Sequence, residues 1–223
     1  MVITENSLQF KCMKKIINFP TKKISDSHEY YKNYVSIKNK LLNKINKNEL
    51  KNIIEEILTA VKRQKNIFSC GNGGSASTAE HLSCDFSKGS CTDTNLNIKV
   101  FSLNSNVSLM TAIANDISYD DIFSYQLARF GKPNDILLLF SVSGSSKNIL
   151  KCAKEAKRKK IKIISFTGFN GGKIKKLSKY NANFATNNFG IVEDCHLSIM
   201  HFISQYIRNI NFKSSKKIIN VNF

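Results

Sequence analysis

The 223-residue sequence has no apolar run of membrane-spanning length, no continuous apolar stretch of a secretory signal near its start, and no C-x-x-C pair among its six cysteines. A spanning helix needs about 20 such residues, and paired cysteines at short spacing mark metal or redox sites. These absences predict a soluble, cytoplasmic protein with reduced thiols and no membrane partner. Two phosphate-binding signatures are also missing: no Gly-Lys-Ser/Thr closes a Walker loop, and no G-x-G-x-x-G opens a dinucleotide fold. Acidic residues are scarce, with 16 Asp and Glu against 34 Lys and Arg, for a formal net charge of +18. Such an excess suits nucleic acid only when it is clustered. Here the basic runs Lys22-Lys23, Lys157 to Lys160, Lys175-Lys176 and Lys216-Lys217 fall on different segments, with no aromatic-interleaved stripe. The abundance of Lys, Asn and Ile is what an AT-biased coding sequence leaves on a tolerant surface. No specific nucleic-acid partner is expected.

What is present is an alternation of periods. Residues 1–28 carry no clear period and read as a poorly ordered N-terminal extension. Residues 29–210 read as one domain, and 211–223 as a tail. From Glu29 to Lys65 apolar residues recur at helical spacing, interrupted at Asn46-Lys47-Asn48, which predicts two helices. β-rich runs follow at 66–70, 97–103, 135–140, 161–166 and 182–185, separated by helical stretches at 75 onward, 105–114, 119–130, 146–158 and 191–210. The run Asp135 to Phe140 is so continuously apolar that both faces must be covered, as in a central parallel strand. Alternating elements of this length predict an α/β fold with a parallel sheet and helices on both faces. Ligands of such sheets bind beyond the C-terminal strand ends. The loops to inspect are therefore 71–75, 141–146 and 167–172.

Cys70-Gly71-Asn72-Gly73-Gly74-Ser75 reads as strand, glycine turn and helix start. The first N–H groups of a helix have no internal partner, so this turn is a candidate anion cradle or a plain tight turn. Ser141-Val142-Ser143-Gly144-Ser145-Ser146 repeats the arrangement with hydroxyls, which suits a phosphate unless Ser145 or Ser146 merely caps the helix.

Cys70 to His81, Thr111-Ala-Ile-Ala-Asn-Asp116, Ser141 to Ser146, Phe166 to Gly172 and Val192-Glu-Asp-Cys-His-Leu-Ser-Ile-Met-His201 together resemble the sugar isomerase (SIS) domain, in its phosphoheptose isomerase branch. The resemblance runs from about Glu29 to Arg208. It implies a flavodoxin-like three-layer fold with five parallel strands, N-terminal helices used for oligomerisation, and a homotetramer with sites at subunit interfaces. The implied activity converts sedoheptulose 7-phosphate to a D-glycero-D-manno-heptose 7-phosphate for surface polysaccharide synthesis. By position, Ser141, Val142, Ser143 and Ser146 become the phosphate loop, Asn72, Gly73, Ser75, Asp116 and Glu193 contact the sugar, and Asp85 and His201 carry the proton transfers. One Zn²⁺ per subunit is implied at His81, Asp85, Glu193 and His201.

The sequence departs from the family pattern at several of these positions. Asp85 replaces a glutamate, with a reach shorter by about one carbon–carbon bond, ~1.5 Å. Glu193 replaces a glutamine, Val142 a threonine, and Gly190 an aspartate. His81 and Asp85, four apart, share a helix face, whereas Glu193 and His201 lie about 80° and about 12 Å apart on theirs. His196 is expected to be structural, Asp120 and Asp194 surface or capping residues, and Cys84 and Cys195 buried thiols. A non-catalytic phosphosugar-binding or replication-initiator-binding role is the alternative; an acid at 85 and a histidine at 201 argue against it.

Overall fold

The computed structural model describes residues 16–213. Two helices open the domain, α1 (Ser27–Asn43) and α2 (Lys47–Lys62). The Asp26 carboxylate caps the first, accepting from the His28 and Glu29 N–H groups, and the Asn46 side chain caps the second through Glu49 N–H. The predicted break is thus an N-cap, satisfying a donor the helix itself leaves unpaired.

The remainder alternates strand and helix: β1 (Asn66–Cys70), α3 (Gly74–Cys84), β2 (Lys99–Ser102), α4 (Val107–Asp116), α5 (Ser124–Phe130), β3 (Ile136–Ser141), α6 (Lys147–Arg158), β4 (Lys162–Gly168), α7 (Ile174–Leu177), β5 (Tyr180–Phe184) and α8 (Phe189–Ile210). A π-helical turn, Asp85–Gly89, continues directly from α3. The predicted helix 119–130 is split into a 3₁₀ turn, Tyr119–Asp121, and α5.

All five strands pair in parallel in the order β2-β1-β3-β4-β5. Every residue of β3 is buried. Alternation along this strand sends Ile136, Leu138 and Phe140 into the core under α2, α3 and α8, and Leu137 and Leu139 into the core under α5 and α6. The chain goes from β1 outward to β2 and then returns to β3 on the other side. This makes the β1/β3 boundary the switch point, with the loops after both strands side by side. Among the described residues, no helix is long and apolar enough to cross a membrane.

The expectation of a poorly ordered 1–28 is corrected for its second half; residues 1–15 lie outside the described part. Ile17 bridges Thr186 in parallel and its N–H reaches Ala185 O at 2.8 Å. Phe19 is buried, with its ring 4.9 Å from that of Tyr30. A single aromatic with backbone bonding on either side holds this strap, a pairing across 168 positions that leaves no local period to read.

Candidate active site

Two loops lie side by side at the C-terminal end of the sheet, and a side-chain cluster forms farther along α3 and α8. The glycine loop leaves β1 and enters α3 without a side-chain cap. A Cβ on Gly74 would lie 2.4 Å from Glu193 Oε2, so only glycine lets that carboxylate rest against the start of α3. The anion at this helix mouth is therefore the protein's own. Burial, then the adjacent Asp194 charge, raises the Glu193 carboxyl above its ordinary pKa. Asn104 straps the loop from the side, accepting Gly71 N–H and donating to Gly71 O.

The serine loop leaves β3. Ser141 Oγ accepts Gly144 N–H at 3.2 Å and Ser143 Oγ accepts Ser145 N–H at 3.3 Å. A hydroxyl that accepts in this way keeps its own hydrogen to donate. Ser146 stands at the N-cap of α6 but makes no side-chain capping bond, so the plain capping reading does not hold. Gly144 has φ +61°, and a Cβ there would meet Gly171 O at 2.2 Å. The loop is thus braced by the turn after β4, whose Ile174 N–H also bonds Gly144 O.

The third piece is a convergence of α3 and α8. His81 Nε2 and His201 Nε2 are 3.0 Å apart. Asp85 lies 3.4 Å from the former through Oδ1 and 3.6 Å from the latter through Oδ2. The i, i+4 spacing puts His81 and Asp85 on one face of α3, and the π-helical turn begins only at Asp85. Two neutral imidazoles this close share one hydrogen between facing nitrogens, or they face a cation. A tetrahedral zinc site with Zn–N of 2.0–2.1 Å has ligand–ligand edges of about 3.3 Å. One donor atom from each of the three residues lies within 4.8 Å of the others, and the nitrogen and oxygen donor set fits zinc with one position open. A cavity of about 230 Å³ opens beside Asp85 and His201, with Ser204 and Gln205 in its wall. A larger hollow of about 740 Å³ runs along β2 past Phe101 and Phe130, but none of the predicted site residues line it.

Other predicted residues are not part of this cluster. Glu193 is not gathered with His81, Asp85 and His201; its carboxylate rests against Gly74, about two turns of α3 before His81. Asp116 is exposed and accepts from the Asn115 amide. The Val142 side chain is buried and its carbonyl is taken by Gly168 N–H. Ser75 is buried beneath its turn, its N–H bonded to Asn72 O. His196 is fully buried among Phe140, Phe166 and Phe184. Burial pushes its imidazole down to about 4, against a weaker pull from the Thr167 backbone. Cys195 is buried, its thiol pushed up to about 12 by desolvation, whereas Cys84 is exposed, contrary to expectation. Asp194 accepts from Tyr34 Oη at 3.0 Å, which ties α1 to α8.

Sequence reading missed Ser204, whose hydroxyl sits 3.4 Å from Asp85 Oδ2 and 3.0 Å from His201 O. Its place three residues after His201, on the same helix face, was the available signal. It also missed Asn148 and Tyr119, which both bond the Asn72 amide.

A doubly wound parallel sheet, a hydroxyl-bearing loop at its switch point and a His-Asp-His cluster between α3 and α8 define an α/β protein with a candidate acid-base and metal site. The SIS domain family matches residues 29–168, and the chain belongs to that family. Within it, the chain falls in the phosphoheptose isomerase branch. It is 34% identical over 158 residues to a phosphoheptose isomerase of Helicobacter pylori, covering 71% of this chain and 82% of that one. It is likewise 34% identical to a probable phosphoheptose isomerase of Thermoplasma acidophilum, over 70% and 85% of the two chains. The solved phosphoheptose isomerase GmhA from Neisseria gonorrhoeae superposes with a TM-score of 0.73 at 27% identity, over 81% of this chain and 96% of that one.

Proposed function

We propose that the protein is an aldose-ketose isomerase that interconverts sedoheptulose 7-phosphate and D-glycero-D-manno-heptose 7-phosphate in the cytoplasm, supplying heptose for surface polysaccharide. The observation that carries this reading is the meeting of His81, Asp85 and His201, whose facing nitrogen and oxygen atoms lie 3.0, 3.4 and 3.6 Å apart.

The reaction needs a carbon-bound proton moved between neighbouring carbons. Asp85 takes the proton from C1, the released electron pair forms the C1=C2 bond, and negative charge gathers on O2. The O1 proton passes to O2, His201 in its imidazolium form delivers a proton to C2 as O1 becomes the aldehyde oxygen, and the proton held by Asp85 then returns to the imidazole. A positioned acid-base pair of this kind contributes about 10²- to 10⁴-fold each in rate. Ser204, between Asp85 and the His201 carbonyl, holds the carboxylate in place. With zinc bound, His81, Asp85 and His201 would be its ligands and its charge would steady the enediolate oxygens, His201 then serving as a ligand rather than as the proton donor. Ser141, Ser143 and Ser146 would bind the phosphate with their hydroxyl hydrogens and the uncapped start of α6. Gly73, Ser75, Asp116 and Glu193 complete the proposed sugar contacts.

The proposed assembly is a homotetramer with sites at subunit interfaces and with α1 among the joining helices. Phe202 and Tyr206, exposed and stacked with centroids 5.8 Å apart on the helix that carries His201, support this reading. So does Tyr31, 63% exposed on α1. The test is incubation of purified protein with sedoheptulose 7-phosphate and detection of the aldose, with Asp85→Asn and His201→Ala as controls. Binding of phosphosugar without turnover, with or without zinc, would replace the enzyme by a sensor.

A further inference from the structure

Asn72 and Asn148 form a closed pair across the switch point. Asn148 Nδ2 donates to Asn72 Oδ1 at 2.8 Å, and Asn72 Nδ2 donates back to Asn148 Oδ1 at 2.9 Å. One residue belongs to the glycine loop after β1, the other to the first turn of α6 after the serine loop, 76 positions on. Asn148 is 2% exposed and lies on the core side of its helix. The orientation of both amides follows from the network. Asn148 Oδ1 also accepts Ile149 N–H at 2.9 Å, which identifies that atom as oxygen. Asn72 must therefore present its nitrogen there, and its own oxygen receives the Asn148 amide. Tyr119 Oη adds a second donor to the same oxygen at 3.3 Å.

The bond count then limits what Asn72 offers a ligand. Its oxygen carries two incoming hydrogens, which fills both lone pairs. Its nitrogen has spent one of two hydrogens and makes no other bond among the described residues. One N–H is left over, so toward the substrate of the proposed reaction Asn72 can act only as a donor.

We infer that Asn148 is a positioning residue of the isomerisation: through its reciprocal amide pair it locks Asn72 so that a single N–H, and never the carbonyl, faces an acceptor oxygen of the sugar. This deepens the proposed function and rests on that reading. Without Asn148 the Asn72 amide is free to turn and offer its oxygen to the same place, where it repels an oxygen gaining charge. The same pair sets the spacing between the glycine loop and the serine loop, and so between the reacting end of the substrate and its phosphate.

A double-mutant cycle tests this on the full chain, with Asn72→Ala, Asn148→Ala and both together. The readouts are kcat and KM for sedoheptulose 7-phosphate, affinity for inorganic phosphate, and thermal midpoint. Asn148→Ala is expected to lower kcat/KM by about 10- to 100-fold, mostly in kcat, the scale of a small misplacement at a reacting centre. Inorganic phosphate affinity should stay within about twofold. In the Asn72→Ala background the second change should cost less than about threefold, because its route of action is already gone. Equal costs in both backgrounds, or a loss of phosphate affinity matching the loss of kcat/KM, would overturn the inference and make Asn148 a general support of α6. If wild type binds but does not turn over the sugar phosphate, the isomerase reading fails instead. The cycle is then read on sugar-phosphate affinity relative to inorganic phosphate, where additivity again sinks the pairing.

Discussion

His81 and His201 face each other nitrogen to nitrogen at 3.0 Å, with their rings at 74°, although 120 positions separate them. Asp85 closes the third side of the gap between the two nitrogens. His81→Ala is expected to lower Zn²⁺ affinity by at least about 100-fold, since even partners one shell out cost 10- to 100-fold. Competition against a chromogenic chelator measures it; unchanged affinity would remove the metal from this cluster.

Asp85→Asn keeps the shape of the side chain and removes its basicity. Turnover should fall by about 10²- to 10⁴-fold with KM changed by less than about threefold, as for the loss of a proton-transfer group. Asp85→Glu should retain measurable turnover, since the added methylene extends the carboxylate toward the cavity lined by His201 and Ser204. An inert glutamate variant beside an active wild type would mean that this site is built around the shorter acid.

Glu193→Gln should stabilise the protein near neutral pH. Burial and Asp194 hold the Glu193 carboxyl above its ordinary value of 4.5. With the folded pKa raised, the acid's contribution is fully present below the unfolded pKa and is lost as pH rises through the folded one. The amide escapes that loss. Thermal midpoints of wild type and variant should diverge at pH 7 and converge near pH 4; a constant gap would show that charge is not the cause.

His196 gives the opposite slope. Its folded imidazole sits at about 4 against 6.5 unfolded, because it is fully buried among three phenylalanines. Stability is then full above pH 6.5 and drains as pH falls from there toward 4. The shift corresponds to about 3 kcal/mol at the acid end, taking about 1.4 kcal/mol per unit. His196→Leu should flatten the loss between pH 7 and pH 4.5 in urea titrations. An unchanged slope would place the acid sensitivity in another group.

The strands were legible in the sequence wherever burial was two-sided. β1 matches its predicted bounds, and β3 shows as an unbroken apolar run because both its faces pack under helices. α7 and the start of β5 at Tyr180 and Asn181 were not legible, since four residues give no period and polar residues at a sheet edge give no alternation. Helix 119–130 reads as continuous because its apolar spacing survives the 3₁₀ turn at Tyr119–Asp121. In the site, His81 and Asp85 were legible as a pair by their spacing on one helix. Asn148, Ser204 and Tyr119 were not, because their bonds to Asn72 and Asp85 cross 76, 119 and 47 positions and leave no local pattern. Glu193 was misplaced for a related reason. Its carboxylate is drawn to the open start of α3, where a glycine leaves room, rather than to the histidines.

The π-helical turn from Asp85 to Gly89 holds one residue more than an α turn of the same rise. An extra residue shifts the phase of everything after it by about 100° around the axis, and of nothing before it. Asp85 is thus the last side chain whose direction α3 dictates. Beyond it the turn is pinned rather than aimed: Phe86 is fully buried and Ser90 Oγ donates to Ser204 O at 3.0 Å, which fastens the segment after the acid to the same helix that carries His201.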